Sequence, residues 1–155
     1  MIPNRNAADI PPEVMELLAE PTKFYLTGSR YFGTATPESD WDFFTQHDVT
    51  TAKWLEANGW HVESESYAQD PIMVAVYRKG ITHVQLVGDV RVKSHLQNRL
   101  KWIFRELKPN KTQAKMLWLY ATRLYNDGVE AVFHDVKFEA RHLKLMAKKI
   151  EFLLQ

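Results

Sequence analysis

Residues 28–44 restrict the fold of this 155-residue chain more than any other segment. They begin with a Gly-Ser pair directly after the apolar residues 24–26, and they end with Asp-Trp-Asp-Phe-Phe. Alternate residues of a strand point to the same face of a sheet, so Asp40 and Asp42 on one strand would project their carboxylates to one side. The segment therefore predicts two strands connected by a Gly-Ser turn and a loop over residues 30–39.

The residue types in this segment point to metal and phosphate chemistry. Two neighbouring carboxylates repel each other unless a cation lies between them, and hard oxygen ligands suit Mg²⁺ or Mn²⁺. A Gly-Ser turn offers backbone N–H groups and a hydroxyl to a phosphate. Asp40 and Asp42 are therefore candidate metal ligands and catalytic residues, and Gly28 and Ser29 are candidate phosphate-binding residues. Arg30 could also reach a phosphate, or it could be a solvated loop residue.

The same residues resemble the signature of the polymerase β-type nucleotidyltransferase superfamily. That signature is an apolar residue, Gly, Gly or Ser, about ten variable residues, and then Asp-apolar-Asp-apolar; here it runs from Thr27 to Phe43. The resemblance covers residues 23–87 well. It implies a small mixed sheet, a triphosphate held at the Gly-Ser turn, metal ions held by the paired aspartates, and a nucleoside triphosphate as substrate. Small stand-alone proteins similar to this one occur in phages and in toxin–antitoxin or defence loci.

One position departs from the family pattern. The family usually has a third carboxylate on a later strand, and the corresponding strand here is predicted over residues 81–87, where His83 stands at the expected acidic position. Its unperturbed pKa lies near neutrality, so His83 could act as a general base. It could instead ligate a metal, although imidazole prefers softer ions than Mg²⁺. A third alternative is a site that has lost catalysis and kept nucleotide binding.

Composition indicates an ordinary globular protein. Hydrophobic residues make up 45% and charged residues 25% of the chain, which is typical of a soluble domain, and the length suits one domain. No apolar run approaches the roughly 20 residues that cross a bilayer, and the N-terminus lacks a secretory core. With no cysteine, disulfides and thiolate metal sites are excluded. We expect a cytoplasmic protein without a membrane partner.

Charge is divided unevenly along the chain. Residues 1–80 contain 6 Lys+Arg and 12 Asp+Glu, a net charge of −6, whereas residues 81–155 contain 14 and 7, a net charge of +7. A basic half could attract RNA, bind a triphosphate or contact a protein acceptor. Lys-rich helix surfaces are equally compatible with a role in solubility alone.

Hydrophobic periodicity and turn residues predict the remaining elements. Val14, Leu18 and Ala19 are expected to form the inner stripe of the first helix, and Asp48 is a candidate N-cap of the second. The segment 60–65 alternates weakly and is expected to be an edge strand, and 78–80 reads as a hairpin turn. Helices are predicted over 12–20, 50–57, 89–107, 111–126 and 137–154, strands over 23–27, 40–46, 72–77 and 81–87, and a loop over 66–70.

These elements predict an α+β fold with a small mixed sheet, flanking helices and a C-terminal helical region. The whole chain, 1–155, is expected to be one domain, with a nucleotidyltransferase-like core over about 11–88 and appended helices over about 89–155. The leading functional prediction is a metal-dependent nucleotidyltransferase that moves a nucleoside monophosphate to an acceptor hydroxyl of RNA, protein or a small molecule. The alternatives are a catalytically silent relative that acts by binding a partner, and a nucleic-acid-binding module that uses the basic helices.

Overall fold

The computed structural model describes residues 10–64, 73–127 and 148. The chain divides into two compact units. The first contains the described residues 10–64 and 74–88, and the second contains 73 and 89–127 together with 148. The predicted loop over 66–70 lies outside the described residues, and so does the predicted last helix over 137–154 except for Lys148.

The first unit is built on a five-stranded mixed sheet with the strand order β1-β2-β5-β4-β3. Strand β1 pairs with β2 in antiparallel fashion, and β2 pairs with β5 in parallel. The fold class is thus mixed α and β, as the sequence predicts. The strands are β1 (Tyr25–Thr27), β2 (Trp41–Gln46), β3 (His61–Ser64), β4 (Met73–Lys79) and β5 (Thr82–Val87).

Helices α1 (Pro12–Ala19) and α3 (Val49–Ala57) contribute to the main core of this unit. The core joins Val14 and Leu17 of α1 and Leu55 of α3 to Phe43 of β2 and Val84 of β5. Because side chains alternate along a strand, Asp42 and His83 lie on the face of the sheet opposite to Phe43 and Val84. The core formed with α1 and α3 therefore lies on one face of the sheet, and Asp42 and His83 lie on the other.

The predicted starts of α1 and α3 agree with the structure to within one residue. Proline stands at the first position of α1, where its missing N–H costs nothing. At the start of α3, the Asp48 carboxylate accepts a hydrogen bond of 2.7 Å from the backbone N–H of Thr50. The edge strand predicted over 60–65 is confirmed for His61–Ser64, since β3 is the last strand in the sheet order.

Three local predictions are wrong. Residues 28–32 form a short helix, α2 (Gly28–Phe32), where a turn and a loop were expected. In α1 the inner residue is Leu17, whereas Leu18 is 57% exposed. Strand β4 continues to Lys79, so the turn before β5 lies one residue later, at Gly80 and Ile81.

The described part of the second unit is helical, with α4 (Val90–Leu107) and α5 (Lys111–Asp127) packed against each other. Asp89 caps α4 by accepting from the N–H of Arg91 at 2.9 Å. Asn110 and Gln113 exchange reciprocal backbone-to-side-chain hydrogen bonds that begin α5. The buried apolar residues of α4 are Leu96, Leu100, Ile103 and Phe104, and those of α5 include Ala114, Leu117 and Ala121. None of the helices among the described residues has the length and apolar character needed to cross a bilayer.

Candidate functional site

The register of three neighbouring strands brings the candidate site together. Asp42 of β2 is opposite Thr27 at the end of β1, and it is also opposite His83 of β5. Gly28 directly follows Thr27 and opens α2. The glycine and the carboxylate, fourteen residues apart in sequence, are thereby placed side by side.

Gly28 approaches the Asp42 side chain so closely that no other residue fits. Its φ of +68° lies in the left-handed region, which side chains with a Cβ rarely adopt. A Cβ added at Gly28 would collide with Oδ2 of Asp42 and would lie 3.0 Å from its Cβ and Cγ. The Gly28 backbone therefore lies directly against the Asp42 carboxylate. This agrees with the expectation that the Gly-Ser bend is close to the acidic pair.

Asp40 and Asp42 converge on one atom, Nδ1 of His83. The distance from Nδ1 is 3.3 Å to Oδ1 of Asp42 and 3.8 Å to Oδ2 of Asp40. The two aspartates therefore point to the same side, although the strand predicted from residue 40 begins at Trp41 and Asp40 directly precedes it. Nδ1 is buried and has no well-aligned hydrogen-bond partner. Nδ1 and Oδ1 of Asp42 are close enough for a hydrogen bond, but they are not aligned for one. The contact is therefore an electrostatic interaction.

The other ring nitrogen of His83 faces a carboxylate that the sequence did not single out. Nε2 lies 3.0 Å from Oε2 of Glu63 on the edge strand β3. Oε1 of Glu63 lies 3.7 Å from Nη1 of Arg78. Nothing in the local sequence distinguishes Glu63 from a solvated edge-strand residue, because its approach to His83 depends on how β3 pairs with β4.

Three carboxylates around one imidazole favour its positive form. The interaction with Asp42 is the main cause that raises the pKa of His83 above its ordinary value. Partial burial acts in the opposite direction, and the charges of Asp42, Glu63 and Asp40 add to the increase. A positive imidazole ring would offset only one of the charges of the acidic pair.

The remaining predicted site residues are held by the short helix and the following loop. The backbone carbonyl of Ser29 accepts hydrogen bonds from the N–H groups of Gly33 and Thr34 at 2.9 and 3.0 Å. Arg30 donates to the carbonyls of Ser39 at 2.8 Å and Pro37 at 3.3 Å. Its guanidinium also lies over the Trp41 ring, 4.3 Å from the centroid. Arg30 thus anchors the loop before Asp40, and its phosphate-binding role stays a prediction.

The donor set determines which metal site these residues could form. Among the residues that the structure describes, no three His, Asp or Glu side chains form a group that could hold a metal ion. Mg²⁺ is commonly bound by only one or two carboxylates together with substrate phosphates. Asp40 and Asp42 supply two carboxylates, so any hard cation held there would need further ligands from outside the described residues.

A scan against family models, a search of curated proteins and a search of solved structures each find no match to this chain.

Proposed function

We propose that this protein is a metal-dependent nucleotidyltransferase that moves a nucleoside monophosphate from a nucleoside triphosphate to an acceptor hydroxyl. The observation that carries this proposal is the contact of Gly28 with Asp42 beside the convergence of Asp40 and Asp42. Because the Gly28 backbone lies next to the two carboxylates, a phosphate chain and its cation could bind side by side at this position.

Each residue has a defined task in this proposal. Gly28 and Ser29 would bind the triphosphate, and Arg30 holds the loop that precedes Asp40. Asp40 and Asp42 would hold Mg²⁺ or Mn²⁺. When bound, the metal supplies charge neutralisation and alignment of the reacting phosphate.

The transfer forms one bond and breaks one. The acceptor hydroxyl oxygen bonds to the α-phosphorus, and the bond from that phosphorus to the bridging oxygen of pyrophosphate breaks. His83 lies beside both aspartates, and only its neutral form could accept the hydroxyl proton, a form that a cation offsetting the aspartate charges would favour. Nothing in the site selects among RNA, a protein and a small molecule as the acceptor.

A second function is a catalytically silent relative that binds a protein or nucleic acid. The observation that favours it is His83, which places a positive ring where the family pattern has a carboxylate and lies within 3.8 Å of both aspartates. A positive ring would offset part of the aspartate charge without a metal. The partner would be bound through the basic half of the chain, and binding to RNA or DNA would weaken steeply with salt.

Transfer of label from each α-³²P nucleoside triphosphate tests these functions. The full chain is incubated with Mg²⁺ or Mn²⁺, alone and with cellular RNA or lysate protein. Asp40→Asn and Asp42→Asn remove one charge without changing side-chain shape. Asp48→Asn is the matched control, because it makes the same change at a helix N-cap where asparagine is equally suitable.

We expect label transfer by the wild type and by Asp48→Asn, and loss of transfer in both site variants. Transfer that survives Asp40→Asn and Asp42→Asn would exclude the metal-binding role of the pair. Absence of both transfer and nucleotide binding in the wild type would favour the silent relative.

A further inference from the structure

A β-bulge in strand β3 determines where Glu63 points. His61 is opposite Arg78 and Val62 is opposite Tyr77, but the next paired residue, Ser64, is opposite Val76. The step from 62 to 64 on β3 is matched by a single step on β4, so Glu63 is the extra residue. A bulge redirects the side chain of the strand that carries it.

The redirected carboxylate is held between two basic groups. Its Oε2 lies 3.0 Å from Nε2 of His83, and its Oε1 lies 3.7 Å from Nη1 of Arg78. The side chain of His83 is 14% exposed, whereas that of Glu63 is 39% exposed. Glu63 therefore reaches from the edge of the sheet to a ring that is largely buried.

We infer that Glu63 is a positioning residue, which fixes the orientation of the His83 ring so that Nε2 faces β3 and Nδ1 faces Asp40 and Asp42. Any effect of Glu63 on nucleotidyl transfer rests on the proposed function. An imidazole that donates one N–H to a carboxylate has the role of its other nitrogen set by that bond. The carboxylate that is missing from β5 is thus supplied from β3 and acts on the site through His83.

The alternative is that Glu63 and His83 form an ordinary surface ion pair. Exposed ion pairs contribute little to stability, and the chain contains a close match. Lys79 and Glu16 are also 3.0 Å apart, with side chains 34% and 32% exposed. A change that breaks the Glu16 pair removes an ion pair of the same length without touching the imidazole, so Glu16→Gln is the matched control.

Nitrogen-15 NMR of the His83 ring in the full-length protein, without nucleotide, tests the inference directly. A His83→Gln variant assigns the signals. In the wild type we expect a ring proton on Nε2 that is protected from solvent exchange. Glu63→Ala should abolish that protection, Glu63→Gln should retain it through the amide oxygen, and Glu16→Gln should leave it unchanged. A protected Nε2 proton in Glu63→Ala would overturn the inference.

Label-transfer kinetics provide the second measurement. Removing a group that orients a functional histidine typically lowers activity about 10- to 100-fold. Glu63→Ala should lower kcat by this factor with an unchanged KM for the nucleotide, and Glu63→Gln should recover part of the loss. Loss of the NMR signal with full kcat in Glu63→Ala would overturn the positioning role in transfer. A wild type that transfers no label but keeps the protected proton would refute the proposed function while the orientation of His83 by Glu63 stands.

Discussion

Asp42 connects the Gly28 backbone to the His83 ring in the candidate site. Gly28 packs against its side chain on one side, and His83 lies 3.3 Å away on the next strand. Both neighbours are placed by strand register, because Thr27, Asp42 and His83 lie side by side across β1, β2 and β5. The sequence predicted that the two aspartates share a face, since this follows from the period of a strand alone.

Substitution of Gly28 by alanine tests the contact with Asp42. A left-handed conformation costs a residue with a Cβ roughly 1–2 kcal/mol, and the added Cβ would also displace the Asp42 carboxylate. Gly33→Ala is the control, because Gly33 has a φ of +84° but no neighbour within 4 Å of an added Cβ. We expect chemical denaturation to show a loss in both variants, larger for Gly28→Ala, and nucleotide binding to fail in Gly28→Ala alone. Equal effects of the two substitutions would contradict the contact.

The raised pKa of His83 predicts a pH dependence of stability without metal. Its interaction with Asp42 raises that pKa in the folded protein, so the folded state binds the proton more tightly than the unfolded chain. The resulting stabilisation is complete below the unfolded pKa of about 6.5, and it is lost as pH rises through the folded value. The difference in free energy of unfolding between wild type and His83→Gln should therefore shrink above about pH 6.5. A difference that grows with pH would refute the ion pair.

At the level of elements, α1 shows where helical periodicity was read incorrectly. The helix has eight residues and starts at Pro12, so a shift of one position moves the inner face by about 100°. Val14 and Leu17, three residues apart, are both buried, whereas Leu18 is exposed. In a helix this short the periodic signal is weak, and packing on the sheet decides which leucine is inside.

Alanine substitutions of Leu17 and Leu18, made separately, test which of the two leucines packs in the core. Leu17 is 1% exposed and belongs to the core cluster, so Leu17→Ala should lower the free energy of unfolding by about 2–5 kcal/mol. Leu18→Ala removes an exposed side chain from the same helix and should change it by less than about 0.5 kcal/mol. Urea denaturation of both variants provides the measurement. A larger loss for Leu18→Ala would show that the other face of α1 packs on the sheet.

The contribution of β3 to the site could not be predicted from the sequence. Weak alternation was enough to predict an edge strand over 60–65, because that signal is local. The bulge that redirects Glu63 appears only when β3 is paired with β4, and β4 follows later in the chain. The short helix α2 was missed for a related reason, since five residues carry too little periodicity to distinguish a helix from a turn.

At the scale of the whole molecule, strands give way to helices near residue 88. This pattern predicted a core before that position and appended helices after it. The two compact units meet in sequence at Gly88 and Asp89, where the charge also changes from acidic to basic. Each unit has a distinct character: a mixed sheet with the candidate site in the first, and packed helices in the described part of the second. The cytoplasmic location and the RNA or protein acceptor remain predictions from composition.

Isothermal titration of each nucleoside triphosphate into the full chain, with and without Mg²⁺, tests the central claim that Asp40 and Asp42 hold a cation together with a phosphate chain. We predict that a nucleotide binds only together with the divalent cation. The cation alone should bind weakly, because only two protein carboxylates hold it. Asp42→Asn should abolish nucleotide binding, whereas Asp48→Asn should not. Binding that is unaffected by Asp42→Asn, or no binding of any nucleoside triphosphate, would contradict the account.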